Sequence, residues 1–470
     1  MEASAGTLFC LLLILLSTPG ALGSNPGLVA RITDKGLEYV AKEGAMVLQR
    51  KLRGISLPDF TGDFKIRHLG RVHYEFHSLD ISSCELLGSA LMPLPGQGLR
   101  LTLYDSFIGA HGKWKVRKSF LKLDGSFDVG VKDITISVDL LLGSEPSGRP
   151  TVTVSSCSSH ISDVEGTHAG FLFNFFQICE KIQNSVTSDL QPYLQTLPVT
   201  TEIDNLTSID YSLMEAPRVT DHVLDVMFKG EIFNHDHRSP VTFVAPAMSL
   251  PEEHSRMVYF AISDYVFNTA SLVYQEAGYL NFSITDDMVR MQACIFPSLD
   301  LISSFCPQLA KLYPNMNLEL QGAVVPAPFL NFSPGNLSLA PNMEIDAFVL
   351  LPSSAREPVF RLGVVSFKAF ANFCILFPSL TSWLIPSDLD LNITSSESPF
   401  LVALTPDPPQ APCPFFLVTR NIFLHGIYNK DLAKGLPLPL LKHIRLYDLV
   451  LQIHKVSGFM RGSEDWGGCS

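Results

Sequence analysis

The sequence predicts an α+β fold in which two long amphipathic helices lie along one face of a twisted antiparallel sheet. Two helical patterns flank a region of strand-like alternation. In the first pattern, apolar residues recur at three- to five-residue steps between Val29 and Leu52. In the second, they recur from Phe171 to Leu194. Such periods are typical of helices with one buried face, and a sheet that is apolar on one face needs such a cover.

The first pattern is predicted to be a single long helix. Asn25 is a capping residue type, and Pro26 stands at the first helical position. A helix of about 26 residues would be roughly 39 Å long. Between the two helical patterns, residues 74–81, 99–104 and 134–140 alternate between apolar and polar, and Gly and Pro separate them. These segments are therefore predicted to be strands.

The N-terminus indicates secretion. Residues 1–23 combine a short apolar region at 8–16 with the small-residue cleavage site at 21–23, as in a signal peptide. The apolar region is too short to span a membrane. Five glycosylation sequons agree with an extracellular location. They begin at Asn205, Asn281, Asn331, Asn336 and Asn392.

Cysteine usage fits the same compartment. Of the nine cysteines, eight remain after a signal peptide containing Cys10 is removed, and an oxidising compartment would allow them to pair. None forms a CxxC pair, so neither a zinc ribbon nor a thioredoxin-like site is indicated. His235 and His237 flank Asp236 in a predicted turn, but no third ligand accompanies them. No metal site is predicted.

The strongest candidate for a binding site is the basic segment at residues 111–122. Its charged and aromatic residues are Lys113, Trp114, Lys115, Arg117, Lys118 and Lys122. No acidic residue lies between Asp105 and Asp124, although the chain has a net charge of −12. Focused positive charge in an acidic chain predicts an anionic partner.

Strand alternation would divide this segment between two faces. Lys113, Lys115 and Arg117 are predicted to share one face, whereas Trp114, Val116 and Lys118 share the other. A partly apolar segment suits an amphiphile better than a simple polyanion. The alternative is a solvated, Lys-rich strand edge that discourages aggregation.

Several segments of the chain resemble one known family, in the same order. They are NPGLVARITDKGL at 25–37, LPDFTGD at 57–63, GKWKVRK at 112–118, SSCSS at 155–159, LQPYLQTLP at 190–198 and FAISDYVFNTA at 260–270. All resemble the family of lipopolysaccharide-binding, bactericidal permeability-increasing and lipid-transfer proteins. The resemblance covers most of residues 24–165, 178–288 and 307–363 and returns at 431–455.

The resemblance implies an elongated boomerang of two barrel-like domains joined by a central sheet. The expected division is a signal peptide at 1–23, an N-terminal lipid-binding barrel at 24–238, a Pro-rich linker at 239–254 and a C-terminal barrel at 255–470. The resemblance lapses at 289–306, 364–430 and 456–470, which are expected to break strand periodicity and leave the second barrel incomplete. Residues 369–387 lack charge and are long enough for a membrane span, but Pro378 and Asn372 oppose that alternative.

The resemblance also implies a function. A protein of this family would bind the lipid A part of bacterial lipopolysaccharide and transfer it to a host cell-surface co-receptor. Each barrel would hold a phospholipid in an apolar pocket. Residues 111–122 would lie at the tip of the first barrel, where the five basic side chains meet phosphates and Trp114 lies near the acyl-chain boundary. The family also pairs the positions of Cys157 and Cys179.

Two other functions remain open from the sequence. A phospholipid or neutral-lipid transfer protein of the same family would need the apolar pockets but not the basic segment. An enzyme is disfavoured, because the chain contains no G-x-S-x-G elbow, no H-E-x-x-H motif and no phosphate-binding glycine loop. No cofactor and no nucleic-acid partner are predicted.

Overall fold

The structure is a computed structural model. It describes residues 25–53, 55–66, 70–118, 121–161, 177–285, 311–333, 336–339, 342–365, 368–376, 379–388, 392–396, 436–437, 450–454 and 457–462. Within these ranges, side chains are not described for residues 66, 121, 177–178 and 336–339, nor from residue 362 onward.

The N-terminal half is built on one antiparallel sheet. Its elements are β1 (Leu28–Thr33), α1 (Asp34–Leu52), β2 (Ser56–Leu57), β3 (Phe60–Ile66), β4 (Gly70–Leu94), β5 (Gly98–Lys118), β6 (Leu121–Ser144), β7 (Pro150–Ile161), α2 (Gln177–Ser185), a π-helical turn (Val186–Leu190) and α3 (Gln191–Thr196). The sheet has the order β2-β4-β5-β6-β7, and β3 also pairs with β4. The three segments predicted to be strands lie in β4, β5 and β6.

Helices α1 and α2 cover this sheet, as predicted. Ala45 and Leu52 of α1 and Ile182 of α2 share one buried core with Leu103 and Ile134 of the sheet. The second helical pattern is confirmed from Gln177 onward, and its beginning lies outside the described residues. The core therefore lies between one sheet face and the two helices.

The prediction of a single first helix is wrong in its N-terminal part. Residues 28–33 form the strand β1, and α1 begins only at Asp34. Strand β1 pairs with a neighbour on each side. The continuous apolar residues from Leu28 to Ala30 are typical of such a buried interior strand. Asn25 is not a helix cap, because its Nδ2 donates a hydrogen bond to the carbonyl oxygen of Ala245 at 2.9 Å.

The remaining elements form the central sheet and the C-terminal half. They are β8 (Thr200–Glu202), β9 (Thr207–Asp210), β10 (Arg218–Val219), β11 (Val223–Phe228), β12 (Glu231–Asn234), β13 (Val258–Ser263), α4 (Asp264–Glu276), β14 (Asn281–Thr285), β15 (Asn317–Val324), β16 (Leu330–Ser333), β17 (Asn336–Leu339), β18 (Asn342–Leu350), β19 (Arg356–Val365), β20 (Lys368–Leu376), β21 (Ser379–Asp388), β22 (Asn392–Ser396), β23 (Leu436–Pro437), β24 (Val450–His454) and β25 (Ser457–Gly462).

The central sheet joins the two halves of the chain. Its order is β10-β11-β1-β13-β25-β24, so strands from the N-terminal half pair directly with strands from the C-terminal half. The seam is the antiparallel pair β1–β13, which runs from Leu28 opposite Ile262 to Ile32 opposite Val258. A second sheet of the C-terminal half has the order β14-β15-β18-β19-β22. The mixed helix and sheet composition confirms the α+β class.

Residues 364–430 and 456–470 were both expected to break strand periodicity, and both expectations are corrected. Residues 364–430 do not break strand periodicity throughout, because β20, β21 and β22 lie within them. The described residues of the uncharged run, 369–376 and 379–387, lie in the antiparallel pair β20–β21, which suits their aromatic and β-branched residues. In the tail, β25 pairs with both β13 and β24. Residues 289–306, 397–430 and 463–470 lie outside the described residues.

Across the part of the chain that the structure describes, no helix is both long and apolar enough to cross a membrane.

Candidate functional site

The basic segment lies at one end of the N-terminal sheet. Residues 111–118 are the last residues of β5, and Lys122 lies near the start of β6. We call this end the tip and define it as residues 60–66, 70–77, 111–118 and 122–128, which belong to β3, β4, β5 and β6. Residues 113–118 are uninterrupted strand, so their side chains alternate between the two faces as predicted.

We call the face that carries Lys113, Lys115 and Arg117 the outer face. Lys122 joins them, because it stands directly opposite Arg117 in the β5–β6 register. Lys118 is one residue out of step and lies on the opposite, inner face. The five predicted cations are therefore brought to one end of the sheet but not to one face.

Two further cations of the outer face were missed by the sequence analysis. Lys65 and Arg71 stand opposite each other in the β3–β4 pair, in alternation with His73, which stands opposite Arg117. Both side chains are exposed. Lys65 and Arg71 flank Arg67 in a stretch without acidic residues between Asp63 and Glu75, which is a basic signal in the sequence. Only the strand register, however, assigns Lys65 and Arg71 to this surface. The outer face then presents Lys65, Arg71, Lys113, Lys115, Arg117 and Lys122.

Carboxylates on the same face partly offset this charge. Glu75 stands opposite Lys115 on one side, and Asp124 stands opposite it on the other. Arg117 Nη2 lies 3.5 Å from Glu75 Oε2 in an exposed ion pair, a geometry worth roughly 0.2–1 kcal/mol. Asp63 Oδ1 lies 3.1 Å from His73 Nδ1. Asp128 also lies on this face, opposite His111, and six cations against four carboxylates leave the outer face positive.

The inner face of the tip is aromatic. Phe60 and Phe76 stack with ring centroids 4.7 Å apart, and Phe127 meets Phe76 edge-on at 5.3 Å. Tyr74 lies 5.6 Å from Phe76, and Phe64 lies 6.0 Å from Tyr74. This face continues the surface that packs against α1 and α2 further along the sheet, where Ile108 joins the helix core.

Glycine makes room for the largest ring of this face. Trp114 stands opposite Gly125, and a Cβ at Gly125 would lie 2.9 Å from the indole Nε1. The indole therefore lies across the neighbouring strand, where any larger residue would displace it. Trp114 therefore lies on the face opposite Lys115, as predicted, and its ring lies against the neighbouring strand.

The pairing of Cys157 with Cys179 is present in the structure. The two Cα atoms are 5.6 Å apart, and the bridge joins β7 to α2 across a sequence separation of 22 residues. It therefore fastens the second covering helix to the edge of the sheet. Among the described cysteine side chains, Cys84 is free and fully buried, and burial raises the pKa of its thiol to about 11.

The predicted glycosylation sites occupy turns and strand positions. Asn205 is exposed in the bend between β8 and β9, and Asn281 and Asn331 are exposed at β14 and β16. Asn336 and Asn392 are the first residues of β17 and β22, and their side chains are not described. Glycosylation stays a prediction at all five positions.

A cleft of about 500 Å³ lies beside the linker, away from the tip. Its lining includes Phe243 and Val244 of the segment predicted to be a linker, together with the charged residues Lys229, Glu231 and Arg238. It differs from the predicted apolar pockets between helix and sheet, because three of its lining residues are charged and already ion-paired with one another. Phospholipid in apolar pockets therefore stays a prediction.

The structure thus defines an α+β protein whose two halves share a central sheet and whose N-terminal sheet ends in a tip with one cationic and one aromatic face. The sequence models of two domains match this chain. The N-terminal domain of the LBP / BPI / CETP family matches residues 36–197, and its C-terminal domain matches residues 201–463. The chain belongs to the LBP / BPI / CETP family.

Individual members are similar over nearly the whole length. The chain is 60% identical over 462 residues to lipopolysaccharide-binding protein of Homo sapiens, covering 95% of each sequence. It is 57% identical over 475 residues to lipopolysaccharide-binding protein of Bos taurus, covering 97% of each. A crystal structure of lipopolysaccharide binding protein shares 54% identity with a TM-score of 0.60, covering 93% of this chain and 98% of that chain.

Proposed function

We propose that this chain is a secreted protein that binds the lipid A part of bacterial lipopolysaccharide at the tip. The observation that carries the proposal is the outer face, on which four adjacent strands assemble six cations. Neighbouring strands are about 4.8 Å apart and alternate side chains about 6.8 Å apart, so the cations form a grid that can contact several phosphate oxygens at once. Charge-assisted hydrogen bonds of this kind are short and strong. The proposal includes no catalytic step.

The high identity to proteins named for lipopolysaccharide binding supports this function over a general lipid-transfer role. A carrier of neutral lipid or zwitterionic phospholipid gains nothing from a cationic surface, whose self-repulsion costs stability. Phospholipid bound in apolar pockets is compatible with the proposal, as is transfer of lipopolysaccharide to a host cell-surface co-receptor. The family match at both halves of the chain supports these two additions.

Reversal of charge on the outer face tests the proposal. The variant Lys115→Glu, Arg117→Glu and Lys122→Glu should bind labelled lipopolysaccharide roughly 100-fold more weakly, because each change replaces attraction with repulsion. Binding by the unchanged protein should also weaken as salt is raised, since the cations are exposed. Equilibrium titration at several salt concentrations measures both effects.

The matched control reverses three exposed cations elsewhere, Lys42→Glu, Arg50→Glu and Lys132→Glu, two of them on α1 and one in the middle of β6. It has the same net charge as the tip variant, so it reports any effect of overall charge alone. Its affinity should stay within about threefold of the unchanged protein. Equal losses in the two variants, or no loss in either, would show that the outer face is not the binding site.

A further inference from the structure

The cleft beside the predicted linker has cations at its surface and carboxylates behind them. The side chains of Lys229 and Arg238 are 37% and 39% exposed, whereas that of Glu231, which pairs with both, is only 8% exposed. The second carboxylate of the network, Asp210, is 9% exposed and is not among the residues that line the cleft. A molecule in the cleft therefore meets positive charge first, because the balancing negative charge is buried behind the two cations.

One carboxylate holds the two cations side by side. Lys229 Nζ lies 3.0 Å from Glu231 Oε2, and Arg238 Nε donates to Glu231 Oε1 at 2.9 Å. Within the part of the chain that the structure describes, Arg238 Nη1 makes no hydrogen bond. The ring of Phe233 supports the guanidinium, whose Cζ lies 4.2 Å from the ring centroid. A second carboxylate can therefore bridge Lys229 and Arg238 from the open side, as Glu231 does from the buried side.

The lining of the cleft also includes exposed apolar side chains. Val244 is 74% exposed. The ring of Phe243 is held edge-on against Tyr265 at 5.6 Å and against Phe329 at 5.1 Å. A ligand that covers Val244 and Phe243 gains from removing them from water. The volume of about 500 Å³ is within the usual range for small-molecule sites.

We propose that this cleft binds a small amphiphilic carboxylate, of the size of a medium-chain fatty acid, whose head group bridges Lys229 and Arg238. Its alkyl chain lies against Phe243 and Val244. A ligand without a chain would leave Val244 in water, and a chain without an anionic head group would leave Arg238 Nη1 unused. The inference is independent of the proposed lipopolysaccharide site, because the cleft and the tip share no residue.

Decanoate is the probe for this site. At neutral pH its carboxyl group is ionised. Decanol and decyltrimethylammonium carry the same alkyl chain with a neutral and a positive head group. In calorimetric titration below the concentrations at which these compounds form micelles, decanoate should bind at least about tenfold more tightly than either of them. Equal binding of decanoate and decyltrimethylammonium would show that no anionic head group is recognised, and the proposal would be wrong.

Two variants test which residues hold the probe. Val244→Glu adds a negative charge to the lining and should weaken decanoate binding roughly tenfold or more. Lys229→Gln removes one of the two cations and should weaken it roughly fivefold. The matched control is Leu87→Glu, which makes the same kind of change at a side chain that is 75% exposed on β4. The control should bind decanoate within about twofold of the unchanged protein.

Val244→Glu leaves the ion network in place, so it tests the site independently of any instability in Lys229→Gln. Thermal melting checks that each variant is folded.

Amide hydrogen exchange locates the probe on the protein. Peptides covering residues 229–245 should gain protection when decanoate is added, and the tip should not. The charge-reversal variant of the outer face should bind decanoate like the unchanged protein, so failure of either proposal is distinguishable from failure of the other. Decanoate binding that responds equally to Val244→Glu and Leu87→Glu, or to neither, would place the probe elsewhere and overturn the inference. The absence of a calorimetric signal in the unchanged protein would overturn it as well.

Discussion

Arg238 is the residue on which a buried ion network depends. Its Nη2 donates to Asp210 Oδ2 at 2.7 Å and to Glu231 Oε1 at 2.5 Å. The two carboxylates are only 9% and 8% exposed. Burial alone would raise the pKa of Asp210, but hydrogen bonds from Ser212 and Arg238 outweigh it and lower that pKa. The pKa of Glu231 is lowered for the same reason, mainly by Arg238.

Removal of this guanidinium should destabilise the protein. In Arg238→Ala, Lys229 alone would face two buried carboxylates, and the free energy of unfolding should fall by about 2–3 kcal/mol at pH 7. Because both carboxyl pKa values are lowered on folding, the stability they contribute is present above about pH 4.5 and is lost as pH falls through the folded values. The difference between the two proteins should therefore shrink on acidification.

Denaturant titration at pH 7 and at pH 3 measures this difference. The control is Arg218→Ala, which removes an exposed pair with Glu215 at 3.0 Å and should cost less than about 1 kcal/mol. A loss in Arg238→Ala no larger than in the control, or one that does not change with pH, would rule out the network as a stabilising element.

Glu75 and Lys65 show which part of the site the sequence could reveal. The run from Lys113 to Lys122 is local, so composition and alternation are enough to find it and to assign its faces. Lys65, Arg71 and Glu75 join the same surface only through the pairing of β3, β4 and β5. The β4–β5 register also shifts between His77 and Asp80, which no local pattern indicates.

The boundary between β1 and α1 shows the same limit at the scale of elements. Apolar residues spaced at three- to five-residue steps fit a helix, and they continue smoothly through Val29 and Ile32. The strand is favoured there because β11 and β13 supply hydrogen-bonding partners on both sides, which are remote in sequence. In contrast, β4, β5 and β6 are recognisable because one face is buried and their alternation is local.

The bridge between β7 and α2 gives a prediction at the same scale. The double variant Cys157→Ala and Cys179→Ala should lose about 3 kcal/mol of stability, as expected for a crosslink closing a loop of this size. The loss should be concentrated in α2, whose amides should exchange faster, whereas affinity for lipopolysaccharide should not change because the tip lies elsewhere. Unfolding by denaturant and amide exchange check the two parts. An unchanged unfolding midpoint would contradict the assigned role of the bridge.

At the scale of the whole molecule, the central sheet makes the two halves dependent on each other. Strand β1 near the start of the chain pairs with β13, and β13 pairs with β25 near its end. The family resemblance implied this arrangement, but no local pattern in β1 or β25 indicates the partner of either strand. The tip lies at the far end of the longest strands, so its two faces can be changed without disturbing this sheet.

Amide hydrogen exchange with and without lipopolysaccharide tests the central claim most directly, because it locates the ligand on the unaltered protein. We expect new protection in peptides covering residues 60–77 and 111–127, and no new protection in β14, β15 or the linker. The protection should disappear in the variant Lys115→Glu, Arg117→Glu and Lys122→Glu. Protection confined to the C-terminal sheet or the linker cleft, with the tip unchanged, would contradict the account.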